Sequence, residues 1–127
     1  MSYAFEPHEG LIVIPARLSG PAGELLVRLA LDTGATGSLL NEDLIVLLGY
    51  DPSAAPSRVQ ITTGSGVETV PRLAIEKVEA LGSERRQFPV VCHTLPPSAS
   101  VDGLLGLDFF RGQRLVIDFR SGILDVD

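Results

Sequence analysis

Leu29-Ala30-Leu31-Asp32-Thr33-Gly34-Ala35-Thr36 decides the reading of this chain: an apolar, strand-like run delivers one carboxylate into a turn of small residues. Leu25, Val27, Leu29 and Leu31 share one parity, and Leu26, Arg28, Ala30 and Asp32 the other. A strand's period of two therefore places Asp32 on the face opposite the best apolar stripe. Gly34 permits positive φ or close approach by another backbone, and the small Thr33 and Ala35 leave the acid uncovered. Asp-Thr-Gly alone is also an ordinary turn composition, so the rest of the chain must decide between a turn and a catalytic site.

The second half repeats the logic. Val101-Asp102-Gly103-Leu104-Leu105-Gly106-Leu107-Asp108-Phe109-Phe110 runs an apolar pair into a glycine and then a short helical pattern. Upstream, Leu11 to Leu18 reads as a strand, Ser19 to Gly23 as a turn, and Glu24 to Leu31 as the returning strand. Gly37-Ser38-Leu39-Leu40 reads as extended. Asn41 is placed to cap a helix with Glu42 and Asp43 in its first turn, Leu40, Leu44, Leu47 and Leu48 on its buried face, and Gly49 as its stop. Arg58 to Thr62 and Glu68 to Leu73 flank Thr63-Gly64-Ser65-Gly66-Val67, a hairpin with a glycine-bearing tip. Ala74 to Leu81 and Phe88 to Cys92 read as strands around a polar turn, Gly82 to Gln87. Leu115, Ile117 and Phe119 alternate with Val116 and Asp118 before Arg120-Ser121-Gly122 turns the chain into Ile123 to Val126.

Leu-Asp-Thr-Gly-Ala-Thr paired with the downstream Gly-Leu-Leu-Gly resembles the retropepsin-like aspartic proteases, single-domain relatives of the retroviral enzymes found also in bacteria. The likeness runs from about Ile12 to Val126. It implies a mostly β, closed-barrel acid-protease fold, with one helix after the Asp-Thr-Gly turn and a short one after Leu-Leu-Gly. It further implies Asp32 as the catalytic acid, Thr33 hydrogen-bonding across a dimer axis, Gly34 offering a carbonyl to substrate, and Ala35 keeping the floor small. Leu104, Leu105 and Gly106 would pack behind the active turn, and Thr63, Gly64, Ser65 and Gly66 would form a flap over substrate. Retroviral members commonly carry an acid after the alanine and an arginine after the second glycine, where this chain has Thr36 and Leu107. Both halves of that ion pair are absent. Arg111 with Asp108 reads most plainly as an i,i+3 surface pair.

Peptide hydrolysis by carboxylates needs two of them, one ionised to take a proton from water and one protonated to donate to the scissile carbonyl. Asp102-Gly103-Leu104 lacks the hydroxyl and glycine that Thr33 and Gly34 supply, so one chain offers one acid. A homodimer with an isologous interface brings the two Asp32 side chains to one axis. The terminal strands around Leu11 to Ile14 or Ile123 to Val126 are the candidates for pairing across it, since exposed edges seek partners. Ala35 brings no hydroxyl to the carboxylate, which predicts activity nearer neutral pH than in pepsin-like enzymes. A second reading keeps the fold as a catalytically inactive peptide-binding or dimerisation module.

Composition sets the outer bounds. The 127 residues, 45% of them apolar, fit one domain across 1–127 with a real core. Ten basic against sixteen acidic residues, a net charge of −6, argue against nucleic acid or an anionic membrane as partner. No signal peptide or membrane-length apolar run is present, so a cytoplasmic, membrane-free protein acting on polypeptide is expected, unless the chain is cut from a longer one. No cofactor is expected. His8 and His93 are too scattered for a metal site, and Gly64-Ser65-Gly66 lacks the lysine and helix of a phosphate loop. Cys92 next to His93 could suggest a thiol nucleophile, but neighbouring strand residues face opposite ways, and a core cysteine is the plainer reading.

Overall fold

The computed structural model describes residues 1–127. Ten strands and two short helices follow one another: β1 (Ser2–Ala4), β2 (Val13–Gly20), β3 (Gly23–Leu31), β4 (Ser38–Leu40), α1 (Glu42–Leu47), β5 (Ser57–Thr63), β6 (Gly66–Ala80), β7 (Ser83–Cys92), β8 (Gly103–Leu105), α2 (Leu107–Phe110), β9 (Leu115–Asp118) and β10 (Ile123–Val126). Strands β2-β3-β8-β4-β7-β6 form a sheet that closes on itself where β6 pairs with β2, giving a six-stranded barrel. β5 hangs from the first half of β6. A separate small sheet has the order β1-β10-β9.

Side-chain parity sorts the barrel. Ile14, Ala16 and Leu18 on β2 face inward with Val27 and Leu29 on β3, and all are buried. They meet Ile75, Leu105 and Phe109, each at most 1% exposed. Leu26 on the opposite parity is 77% exposed. Removing such apolar area from water is the main force holding the barrel closed.

β6 serves two partners along one edge. Gly66–Arg72 pair with β5 and Lys77–Ala80 pair with β2. Between them the Glu76 N–H donates to Tyr50 Oη at 2.9 Å, and the ladder to β7 skips the Glu76–Gln87 position, where Gln87 takes φ 49°. A side-chain hydroxyl thus satisfies the one amide the sheet leaves out.

Several expectations change. β2 begins at Val13 rather than Leu11, although Ile12 still accepts the Leu31 N–H at 2.9 Å. α1 buries Ile45 and Leu48, whereas Leu47 is 61% exposed; the helix is too short for an extended apolar face. Asn41 precedes α1 but does not cap it, because its Oδ1 accepts the Leu95 N–H at 3.0 Å. The polar turn shrinks to Leu81-Gly82, both at positive φ, and Ser83–Gln87 belong to β7. Two residues with positive φ match the twist of a tight hairpin. β10 lies between β1 and β9, so its two edges are already paired within one chain, and β1 and β9 are the edges of that sheet. Phe119 falls beyond β9, 63% exposed, with its ring edge-on to Phe5 at 5.8 Å. No helix is long and apolar enough to cross a membrane.

Two measurements check this account. Tyr50→Phe removes the acceptor for the Glu76 amide and lowers unfolding stability by about 1 kcal/mol in urea. Asp118 accepts the Arg120 and Ser121 amides at the β9–β10 turn, and those bonds hold its carboxyl below the ordinary aspartate value. A carboxyl depressed in the folded state adds stability above its unfolded value, lost as pH falls through the folded one. Asp118→Ala therefore lowers Tm at pH 6, and the gap from wild type closes at strongly acidic pH.

Candidate active site

The chain leaves β3 at Leu31, turns through Asp32 to Gly37, and returns as β4; β8 lies between the two legs, parallel to β3 and antiparallel to β4. The Asp32 N–H donates to the Leu105 carbonyl and the Leu107 N–H donates to the Ala35 carbonyl, both at 2.9 Å. The turn is thereby fastened to the end of β8 and to the start of α2. Inside it the Gly34 N–H donates to Asp32 Oδ1 at 2.9 Å, and the Ala35 N–H donates to the Asp32 carbonyl at 3.2 Å. Asp32 Oδ2 meets no protein donor. Asp32 and Ala35 are half-buried, and Thr33 and Gly34 are exposed.

Glycines set how closely these segments approach. A Cβ on Gly106 would lie 2.5 Å from the Gly37 carbonyl oxygen and 2.8 Å from that of Ala35. On Gly103 it would strike the Leu39 carbonyl oxygen. Gly34 does not have positive φ; a Cβ there would sit 3.2 Å from Asp32 Oδ1, a tight contact that would press on the carboxylate.

Leu105 is buried in the core at 1% exposure, and Gly106 is buried against the turn. Leu104 differs. Its Cα partner on β3 is Ala30, so it shares the Asp32 face and stands beside the turn rather than behind it. One cross-strand row continues there through Val13, Ala30, Leu104 and Leu39. An apolar strip therefore borders the carboxylate, assembled from four strands far apart in sequence.

Ser38 and Asp108 form a support absent from the sequence reading. Ser38 Oγ donates to Asp108 Oδ1 at 2.7 Å and accepts the Gly106 N–H at 3.0 Å, while the Ser38 N–H donates to Asp108 Oδ2 at 3.2 Å. Asp108 is thus bound to β4, and neither it nor Arg111 enters an ion pair, contrary to the expected surface pairing. Arg85 holds the other end of α2: its guanidinium donates to the Phe109 carbonyl at 2.8 and 3.0 Å and to that of Arg111 at 3.1 Å. Neither contact had a local signal, because each joins residues separated by more than twenty positions.

The hairpin tip is a two-residue turn, Gly64-Ser65, in which Thr63 Oγ1 accepts the Ser65 N–H and donates to the Gly66 carbonyl, both at 3.2 Å. Gly66 has φ 117°. Val67 beside it is 66% exposed. Cys92 is 3% exposed, and burial, with a smaller contribution from Glu42, pushes its thiol up to about 11. A thiol so protonated is a poor nucleophile at neutral pH. His93 Nδ1 lies 3.9 Å from Glu68 at the base of the hairpin. No group of three or more His, Cys, Asp or Glu side chains is gathered as a metal site requires.

Asp108→Ala, which strands a 3%-exposed Ser38, is expected to cost about 2 kcal/mol and to speed hydrogen exchange at the Gly106 amide. Cys92 is expected to resist iodoacetamide at pH 8 in the folded protein and to react once urea unfolds it, read by mass spectrometry.

A family model described as aspartyl protease matches residues 14–109, which include the Asp32 turn, the hairpin, Leu104-Leu105-Gly106 and most of α2. Among solved structures, the chain is similar to a retropepsin-like aspartic protease from Rickettsia conorii, with a TM-score of 0.72 at 19% identity over 98% of this chain and 86% of that one. No protein of curated function matches it. The fold is retropepsin-like, and the chain belongs to the aspartyl protease family.

Proposed function

We propose that residues 1–127 act as one protease domain that becomes a homodimeric aspartic endopeptidase when two copies bring their Asp32 side chains to a common axis. The observation that carries this reading is the isolation of Asp32. Of the carboxylates on either side of β8, Asp108 is engaged by Ser38 and Asp102 by the Arg28 amide, which leaves Asp32 as the one acid of the turn. Thr33 is exposed with its hydroxyl unbonded within the chain, as a contact across an axis requires. A two-fold interface repeats the same surface and doubles the acid.

In the dyad, the ionised Asp32 takes a proton from water as its oxygen attacks the scissile carbonyl carbon, and the protonated Asp32 of the other copy gives its proton to the carbonyl oxygen. Collapse of the tetrahedral intermediate breaks the carbon–nitrogen bond, with a proton passing to the leaving nitrogen. Two carboxylates so close share one proton and titrate as a pair. The Thr63-Gly64-Ser65-Gly66 tips serve as flaps that exclude water, and the apolar row beside Asp32 favours apolar residues at the cleaved bond. The free, buried Cys92, with no disulfide, suits a reducing compartment such as the cytoplasm.

The test compares wild type with Asp32→Asn on a peptide library while recording molar mass in solution. Cleavage falls by about a thousandfold or more in the variant, with dimer mass retained. Equal cleavage by both proteins overturns the reading. Peptide binding without cleavage at any pH assigns the chain instead to an inactive binding module.

A further inference from the structure

A cavity of about 580 Å³ lies away from the Asp32 turn, walled by Leu11, Val13, Arg28, Ser100 and Val101, with Glu6 and Glu9 among its other lining residues. Register puts it on the reactive side of the sheet. Val13 is the Cα partner of Ala30, and Arg28, Ala30 and Asp32 alternate onto one face of β3. Arg28 lies four positions before Asp32 along the chain, roughly 13 Å at strand rise. A substrate extended alongside β3 would advance by nearly the same increment per residue and would bring the side chain about four positions from the cleaved bond to the cavity.

Arg28, itself exposed, is the one cation in the cavity lining and forms no ion pair with Glu6 or Glu9 beside it. Arg28 makes no ion pair in the chain, and of its five donor hydrogens only one on Nη1 is engaged, by the Ser100 carbonyl at 3.2 Å. The natural partner, Asp102, is committed elsewhere: its Oδ2 accepts the Arg28 backbone N–H at 2.8 Å, and its own N–H returns to the Arg28 carbonyl at 2.8 Å. That main-chain clasp fixes the base of the arginine while leaving its guanidinium fork available. Arg28, Glu6 and Glu9 are all exposed, so water and salt weaken the pull of the arginine and the repulsion of the glutamates alike, and direct hydrogen bonding to the guanidinium is what distinguishes an incoming carboxylate.

We infer that this cavity is a specificity subsite in which Arg28 receives an acidic side chain of the peptide, an assignment that rests on the endopeptidase reading above. A guanidinium binds a carboxylate through paired, charge-assisted hydrogen bonds, and the partly open setting limits the gain. By symmetry the dimer presents two such subsites, one on each side of the cleaved bond.

The test scans Asp, Asn and Lys through each position of an internally quenched peptide with wild type, Arg28→Gln and Arg28→Lys. Wild type is expected to favour Asp over Asn by about tenfold in kcat/KM near the fourth position. Arg28→Gln abolishes that ratio, Arg28→Lys keeps part of it, and added salt reduces it. The same Asp and Asn peptides are titrated onto Asp32→Asn protein by fluorescence anisotropy, where the preference must persist without turnover. Equal binding of the two peptides, or a preference for Lys, overturns the subsite even if cleavage is normal. Absent cleavage with the Asp preference intact in binding overturns the catalytic reading and leaves the subsite standing.

Discussion

The candidate site depends on β8 being paired along both edges at once, through all three of its residues to β3 and through Gly103 and Leu104 to β4. The turn carrying Asp32 joins those two strands. With its legs held apart by a third strand, it cannot close into a plain hairpin, so it bows outward and lifts the carboxylate clear of the core. The Leu105 carbonyl and the Leu107 amide then fix both ends of the bow. Backbone bonds of this kind hold position better than side-chain contacts, because neither partner has rotamers to lose.

Close threading limits which residues the segment admits. Gly103 opens β8 and Gly106 follows it, and a methyl group would meet a carbonyl oxygen of β4 at the first and of the β3–β4 connection at the second. Between them, Leu105 turns into the core and Leu104 turns out beside Asp32, so a single dipeptide contributes to the interior and to the reactive face. The Ser38–Asp108 bonds and the Arg85 clamp on α2 brace the same region from the far side. Rigidity at the acid is thus distributed over β4, β7, β8 and α2.

Much of this was readable in the amino-acid string because it follows from short periods. Alternation in Leu25 to Asp32 correctly put the acid opposite the buried stripe, and the glycine-bearing tip at Gly64-Ser65-Gly66 did mark a hairpin. What escaped was non-local. Ser38 with Asp108, Asn41 with Leu95 and Arg28 with Asp102 are bonded pairs separated by dozens of residues, and a polar residue in a strand or at a helix start does not announce its partner. Asn41 was expected to cap α1 from local rules, yet a distant amide won its side chain. Leu104 was misplaced for a related reason: a three-residue strand is too short for its own parity to show, and only its register against Ala30 assigns its face.

The change of partner along one edge of β6 at Glu76 carries a mechanical consequence. One continuous strand both seals the barrel and supplies half of the projecting hairpin, so stress on the outer arm would be expected to unzip the seam. A phenol instead occupies the amide between the two pairing zones. On that edge the outer arm and the barrel seam are therefore separate ladders, so fraying of the β5 pairing has no hydrogen-bonded neighbour through which to pass directly into the closure.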